Sequence, residues 1–467
     1  MDPIQAQHTI LRTLLQRARN TAYAQSVGLD EKMSYESFNS LVPTVRYQDL
    51  EPWIERCKEG EPNVLWPGQI HRYAVSSGTT GSGKHIPITE ERILSDLTFM
   101  RGVMWNYIRA YPDPGLFFGN HVALSGSIEH RGQNMFGEIS GMLAMESPPW
   151  IHLWYKVNPR ESAQMSWSDR LELLIETNMH RDVRVLSGVP SWLLVFLREV
   201  SRRRKMPIDA IWPNLKLIVS GGVALSGFYE VISENLGRLQ PRFIENYGAS
   251  EGYFASGFYD NGSMDLKTDL NIFYEFFEIK PKNSPSKIEK PKASELIPLW
   301  RVEPETLYGL VITNNSGLWR YVMNDIVIFD SIMPPRINVI GRLNEMTDIF
   351  GEALTSTEVY AALEKHISKS FYSKIHIQSS WTEDPKTPFH HWLFVVDGND
   401  IIEKMSLESE QIAKKIDDEL ISINRHYAIR RETLALEKPQ LSFISYLEYE
   451  IMLKSLEKAQ SKLGLFI

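Results

Sequence analysis

Two short apolar runs in the middle of the chain, residues 183–186 (VRVL) and 215–219 (LKLIV), each lead through a turn into a segment with helical apolar spacing. After the first come Pro190 and then Trp192, Leu193, Phe196 and Leu197. After the second come Gly221, Gly222 and residues 228–236. Strand, turn, helix and strand again mark a parallel sheet covered by helices, because parallel neighbours need a crossover. The pattern predicts an α/β fold. It also predicts where a ligand sits, since in such sheets ligands lie beyond the strand C-termini, where these turns gather.

The flanking regions read differently. Ile10, Leu11, Leu14, Leu15 and Ala18 have helical spacing, which predicts an amphipathic helix on the main body. A helix is expected over 93–108 and another strand-like run over 122–124. From about residue 273 the runs are short: 273–279, 310–313, 326–329 and 337–340. They predict an antiparallel, barrel-like subdomain. The Lys-, Pro-, Ser- and Glu-rich stretch 280–299 reads as an exposed loop. Beyond Gly341 and Arg342 the order is helix (358–367), strand (374–378), strand (391–395), helix (411–425), strand (432–436) and helix (446–459). That fits a small α+β domain. The expected division is a large N-terminal domain over 1–340 and a small one over 341–467.

Composition removes several classes of function. A formal net charge of −8 provides no global field for nucleic acid. The basic run 202–205 (RRRK) reads as a charged helix end. One cysteine, Cys57, excludes a disulfide or a thiolate metal cluster within the chain. No apolar run approaches the length of a membrane span, and the start MDPIQAQHTI lacks a basic region followed by an apolar one. The expectation is a cytoplasmic protein with neither nucleic acid nor membrane as partner.

Residues 73–89 read YAVSSGTTGSGKHIPIT. Small hydroxyls, glycines and a lysine together offer many N–H and O–H donors to an anion, with little bulk in the way. Residues 78–84 come one position short of the P-loop pattern, because His85 stands where a Mg²⁺-binding Ser or Thr is required. The residues that follow, IPIT, look extended, whereas a P-loop must open a helix. Alone, the stretch fits a phosphate loop of another kind or a structural glycine-rich hairpin.

Two more stretches carry chemistry. In 245–252 (ENYGASEG), Tyr247 can stack on a base, Ser250 can donate to a phosphate and Glu251 can hold a divalent cation; an ordinary strand exit with a solvated Glu is the alternative. In 319–325 (WRYVMND), Asp325 can bind both hydroxyls of a ribose, and Arg342 further on can bridge ribose and phosphate. Taken alone, that pair is explained better by a surface salt bridge between strands.

Taken in order, these stretches resemble the GH3 family of acyl acid amido synthetases, within the acyl-adenylate-forming enzymes. The loop SSGTTGSGKHIPIT is similar to that family's SSGT(S/T)xGxxKxxP, ENYGASEG to its Y-x-x-S-E motif in the bacterial form, and WRYVMND to its RYxxGD segment. GRLNEMTDIFGEALT resembles the bacterial segment that enters the small domain, and GVPSWLL and IVSGGVAL also look like family segments. The likeness runs from about residue 70 to the C-terminus.

The resemblance implies a large adenylate-forming domain, a small mobile C-terminal domain, and ATP and Mg²⁺ as cofactors. It implies a carboxylic acid substrate and an amine, usually of an amino acid, as acyl acceptor. A thiol acceptor, on coenzyme A or a carrier protein, and a catalytically weak adenylate-binding protein are the alternatives. Carried over residue by residue, Ser76, Ser77, Thr79 and Thr80 match the phosphate loop, and Gly221 and Gly222 the turn along the adenine. Tyr247, with Gly248 and Ser250 in the same motif, matches the adenine-stacking aromatic, Glu251 the Mg²⁺ ligand and Asp325 the ribose-binding Asp. Arg342 matches the Arg at the interdomain hinge. Lys462 takes the place of the adenylating Lys, in a tail that lacks the family's Gly and Pro-Arg. Asn324 replaces the Gly before the Asp. Trp105, Phe117, Phe118, Val189 and Trp192 are candidates for an apolar acyl pocket, with simple core packing as the alternative for each; if they line the pocket, the acid is aromatic or aliphatic.

Overall fold

A computed structural model of the chain describes residues 2–76, 84–279, 290–342, 346–347, 352, 354–367, 372, 374–383, 386–396, 399–445, 448–449 and 465–466.

The runs flagged by the sequence lie side by side. Strands Asn120–Leu124, Val183–Gly188, Leu217–Gly221 and Arg242–Ala249 pair in parallel, with Leu124, Gly188, Ser220 and Glu245 in one row. Both faces are covered, and side chains alternate between them as the pleat requires. Val185, Leu217 and Ile244 meet Phe99, Val103 and Tyr107 of the helix Glu90–Ala110. Leu186, Ile218 and Phe243 belong to the opposite core, with Leu193, Phe196 and Leu197 of the helix Pro190–Arg204. Pro190 sits in the first turn of that helix, where its missing N–H costs nothing.

The antiparallel strands expected after residue 273 continue this same sheet. Strands Ile272–Glu278, Leu307–Asn314, Tyr321–Ile332 and Pro335–Arg342 pair in sequence, and Met264–Leu266 and Gly252–Phe258 join them to Arg242–Ala249. The N-terminal helix Pro3–Ala18 buries Ile10, Leu11, Leu14 and Leu15, and Asp2 caps it by accepting from the Ile4 N–H at 2.7 Å.

A smaller sheet holds the glycine-rich stretch. Strands Arg72–Ser76 and Lys84–Ile88 pair antiparallel, with Ser76 opposite Lys84, and Asn134–Gly137 runs parallel to the first. Lys84–Ile88 is a strand, and a helix begins only at Glu90. That arrangement removes the P-loop alternative.

The C-terminal region has its own sheet, ordered Gln440–Ile444, Pro388–Val395, Lys374–Trp381 and Leu465–Phe466. Helices Ser356–Glu364, Asn399–Ile423 and Arg425–Glu432 accompany it. The strand expected over 432–436 is not there. Its alternating Leu434 and Leu436 read as a strand, but Leu434 is exposed with φ of +55°. The N–H groups of Ala435 and Leu436 both donate to the Arg430 carbonyl, at 2.9 and 3.1 Å, and close the helix instead. The third long strand is Gln440–Ile444, parallel to Pro388–Val395. Of the helix expected over 446–459, only residues 448–449 are described, and they are helical; residues 280–289 of the expected loop also lie outside the described residues. Among the described residues no helix is long and apolar enough to cross a membrane.

Candidate active site

The C-terminal ends of the four parallel strands open onto one cavity of about 520 Å³. Its polar rim is built from turns. Ser220 and Gly221 end one strand and Gly222 follows it, while Asn246, Gly248 and Ala249 end the next and Ser250 and Glu251 follow that one. Two of the glycines are required by geometry. A Cβ on Gly221 would stand 2.7 Å from the Asn246 carbonyl oxygen, and Gly222 has φ of +83°. The first is demanded by the neighbouring strand and the second by the turn itself.

Glu251 sits in a two-residue hairpin turn, since Ala249 pairs with Gly252. Its carbonyl accepts from Arg92 Nη1 and, at 2.9 Å, from Asn314 Nδ2. Arg92 is fully buried and donates from Nε to Asp96 Oδ1 at 2.8 Å. The start of the helix Glu90–Ala110 is thereby pinned to the turn. The Glu251 carboxyl lines the cavity yet is buried, and it shares a hydrogen bond with the Tyr321 hydroxyl. Burial raises its pKa, the Lys84 ammonium opposes that rise, and the Asp325 carboxylate adds to it. A buried carboxylate with a second one nearby suits a divalent cation. Mg²⁺ is commonly held by one or two carboxylates together with substrate phosphates, so the residues present fit that ion.

Asp325 lies on the same wall. The Tyr247 hydroxyl donates to its Oδ2 at 2.7 Å, and its Cα partner on the adjacent strand is Arg342. Tyr247 is placed otherwise than the stacking expectation had it. Its ring packs on Phe254, at 4.8 Å between centroids, within the core, and it does not line the cavity. Alternation along the strand explains this, because the pleat turns neighbouring side chains to opposite faces.

The rim leads into an apolar compartment. Leu97, Met100 and Met104 form a stripe on the helix Glu90–Ala110, facing Ala123, Val185 and Val219 of the strands. Val189 and Trp192 line it as expected from the sequence. Trp105, Phe117 and Phe118 do not: Trp105 and Phe118 are 60% and 77% exposed. Trp105 belongs to the outer face of its helix, with Leu94 and Arg101. Polar side chains interrupt the apolar lining, His121 and Tyr155 among them. His121 is buried, its Nε2 is 3.2 Å from the Leu116 carbonyl oxygen, and burial lowers its pKa. Burial pushes the Tyr155 hydroxyl up to about 12.

The structure thus brings Gly221, Gly222, Gly248, Ser250, Glu251 and Asp325 to one cavity, with Val75 and Lys84 from the flanks of the glycine-rich stretch. Ser76 is described as the end of its strand and Arg342 by its backbone pairing. Ser77, Thr79, Thr80 and Lys462 lie outside the described residues. Sequence reasoning gave no separate role to Tyr321, His121, Tyr155 or Arg430, all of which line the cavity. Only Tyr321 had a signal, its place inside the WRYVMND stretch.

Comparison with known proteins gives a consistent result. Residues 1–166 match the GH3 family N-terminal domain and residues 267–342 the GH3 family central domain. An indole-3-acetic acid-amido synthetase, GH3.2 of Arabidopsis thaliana, is 22% identical over 84% of this chain and 84% of its own length. A jasmonoyl–L-amino acid synthetase, GH3.5 of Oryza sativa subsp. japonica, is 24% identical over 78% and 74%. Among solved structures, the GH3.15 acyl acid amido synthetase superposes with a TM-score of 0.59 at 16% identity, covering 98% of this chain and 89% of that one. A 2-hydroxyisobutyryl-CoA ligase superposes with a TM-score of 0.56 at 15% identity, covering 97% and 92%. These likenesses show that the fold is that of adenylate-forming ligases. With family matches over more than half of its 467 residues, the chain belongs to the GH3 family.

Proposed function

We propose that this chain is an acyl acid amido synthetase that activates a carboxylic acid with ATP and transfers the acyl group to an amine, an amino acid in the first instance. One observation carries the reading. A polar rim of turn glycines and buried carboxylates opens directly into an apolar compartment, within a single cavity at the strand C-termini. The rim suits a nucleotide and the compartment suits an aromatic or aliphatic acid.

The chemistry follows from what a carboxylate lacks. Its carbon is a poor electrophile. Attack of its oxygen on the α-phosphorus of ATP, with pyrophosphate leaving, gives the acyl group AMP as a good leaving group. The amine nitrogen then attacks the acyl carbon, AMP departs, and the nitrogen loses a proton. Charge develops on the phosphates in the first step, and fixed N–H donors and cations lower that barrier. Ser76, Ser77, Thr79 and Thr80 would supply such donors, and Lys84 a cation. Gly221 and Gly222 would lie along the adenine and Asp325 would take the ribose hydroxyls. Tyr247 would then orient Asp325 through its hydroxyl rather than stack on the base. Glu251 would hold Mg²⁺, which when bound offsets phosphate charge. Lys462 is proposed as the adenylating cation. Residues 341–467 are proposed as the small domain that moves between the half-reactions, with Arg342 at the hinge. A cytoplasmic location is in keeping with a single, buried cysteine.

The test is exchange of labelled pyrophosphate into ATP with a panel of carboxylic acids. Exchange that needs both an acid and Mg²⁺ supports adenylation. Steady hydrolysis to ADP without any acid refutes it. Product mass after adding amino acids or coenzyme A then distinguishes an amide from a thioester.

A further inference from the structure

One buried side chain of the apolar compartment has a hydrogen-bonding atom left over. His121 lies on the strand Asn120–Leu124, is 6% exposed, and lines the cavity with Ala123. Its Nε2 stands 3.2 Å from the Leu116 carbonyl oxygen, and burial favours the neutral ring. A carbonyl oxygen only accepts, so Nε2 carries the hydrogen and Nδ1 is left as an acceptor. Nδ1 has no hydrogen-bond partner among the described residues. A histidine that serves packing alone has both nitrogens satisfied, because a buried acceptor without a partner is costly.

The other sides of the ring are taken. The Trp154 ring lies nearly parallel to it at 6.1 Å between centroids, and the Tyr155 ring meets it edge-on at 5.7 Å. The His121 backbone N–H donates to the Trp154 carbonyl at 3.1 Å and ties this aromatic segment to the strand. The cavity is the space from which a partner for Nδ1 can come. Tyr155 brings a second polar group to the same place. It is half-buried, lines the cavity, and its hydroxyl has no hydrogen-bond partner among the described residues.

Register gives the depth. Leu124 pairs with Gly188, and Gly188 with Ser220 of the polar rim, whereas His121 pairs with Val185, three residues earlier. That places His121 about 10 Å from the rim's row by the rise of a strand. The wall between is apolar, with Ala123, Val185 and Val219 facing Met100 and Met104. An acid with its carboxylate at the rim runs along this wall, and its far end meets His121.

We propose that the acid substrate carries an O–H or N–H group at the end remote from its carboxylate, and that His121 Nδ1 accepts from it, with the Tyr155 hydroxyl as second contact. The proposal rests on the reading of this cavity as the acyl site, and it narrows the substrate from an apolar acid to one with a distal donor. A site built to hydrogen-bond such a group rejects the analogue that lacks it, because its own polar atoms are then left unpaired.

The experiment is pyrophosphate exchange by the full chain with ATP and Mg²⁺. The acids are para-hydroxybenzoate, para-hydroxyphenylacetate and para-hydroxyphenylpropanoate, each beside its para-methyl counterpart. Indole-3-acetate beside its N-methyl derivative distinguishes N–H from O–H, and hexanoate is an acid without a donor. The best acid should be one with the donor, favoured over its methylated counterpart by at least about tenfold in kcat/KM. His121→Phe keeps an aromatic ring and removes the acceptor. It should reduce that preference by at least about tenfold, through the KM for the donor acid. Where His121→Phe does not fold, Tyr155→Phe decides: it removes only a hydroxyl, and the preference should fall in part. A preference that survives unchanged in the deciding variant overturns the proposal, as does an equal loss for both acids of a pair. Wild-type protein that accepts the methylated acids or hexanoate as well as the donor acids overturns it too. Absence of exchange with any carboxylic acid is a different result, and it sinks the adenylation reading itself.

Discussion

The Tyr247 hydroxyl donates a 2.7 Å hydrogen bond to Asp325 Oδ2, joining two residues 78 positions apart. Both are buried, and only Asp325 faces the cavity. A carboxylate fixed from behind can present its outer oxygen in one orientation. Tyr247→Phe removes the donor and keeps the ring on Phe254. Hydrogen bonds to charged groups contribute about 1.5–3 kcal/mol. We expect the KM for ATP to rise about tenfold in the exchange assay while the KM for the acid changes little. An unchanged KM for ATP would show that Tyr247 does not position Asp325 for the nucleotide.

Glu251→Gln tests the metal assignment. The amide keeps the shape of the side chain and removes the charge that a divalent cation needs. The Mg²⁺ concentration for half-maximal exchange should rise by about tenfold or more. A titration that overlays the wild type removes Glu251 from the metal site.

The buried pair Arg92–Asp96 holds the turn that carries Glu251, through the bond from Arg92 to the Glu251 carbonyl. Removing one partner leaves the other charge buried alone, which costs about 3–5 kcal/mol. Arg92→Met should therefore lower unfolding stability by that amount in urea melts. Replacing both residues by apolar ones should cost less than the single change. Equal costs for the single and double variants would contradict this account of the pair.

His85 gives a prediction in pH. Its Nδ1 lies 2.7 Å from the Lys58 ammonium and its ring meets Phe136 edge-on at 5.0 Å. Burial, reinforced by the Lys58 charge, holds its pKa at about 4 instead of 6.5. The unfolded chain therefore binds this proton first as pH falls. The stability that the neutral ring contributes is complete above about pH 6.5 and is lost as pH falls towards 4. His85→Gln should flatten the stability profile in that window, as read by thermal melting at stepped pH. A profile as steep as that of the wild type would assign the acid sensitivity to other groups.

Much of the fold was legible because its signals are local. The parallel strands announce themselves as apolar runs followed by glycine turns, and the N-terminal helix by Ile10, Leu11, Leu14 and Leu15. Gly221, Gly222, Glu251 and Asp325, which line the cavity, were legible as candidates for the same reason, since each sits in a short stretch whose chemistry can be read without the fold. What escaped depends on distant partners. The direction in which Tyr247 points is set by the pleat and by Phe254 and Asp325. Trp105 and Phe118 read as pocket because they are large and apolar, yet their elements turn them outwards. Leu434 and Leu436 mimic a strand, while the backbone bonds to the Arg430 carbonyl end a helix there. Arg430 carries no motif, and only the packing of the C-terminal region against Trp192 brings it to the cavity.

The most direct test of the account is a crystal of the full chain grown with AMP and Mg²⁺. The account predicts the ribose hydroxyls on the Asp325 carboxylate, with the base against the Gly221–Gly222 turn. AMP bound away from Asp325, or no AMP in this cavity at saturating concentration, would contradict it.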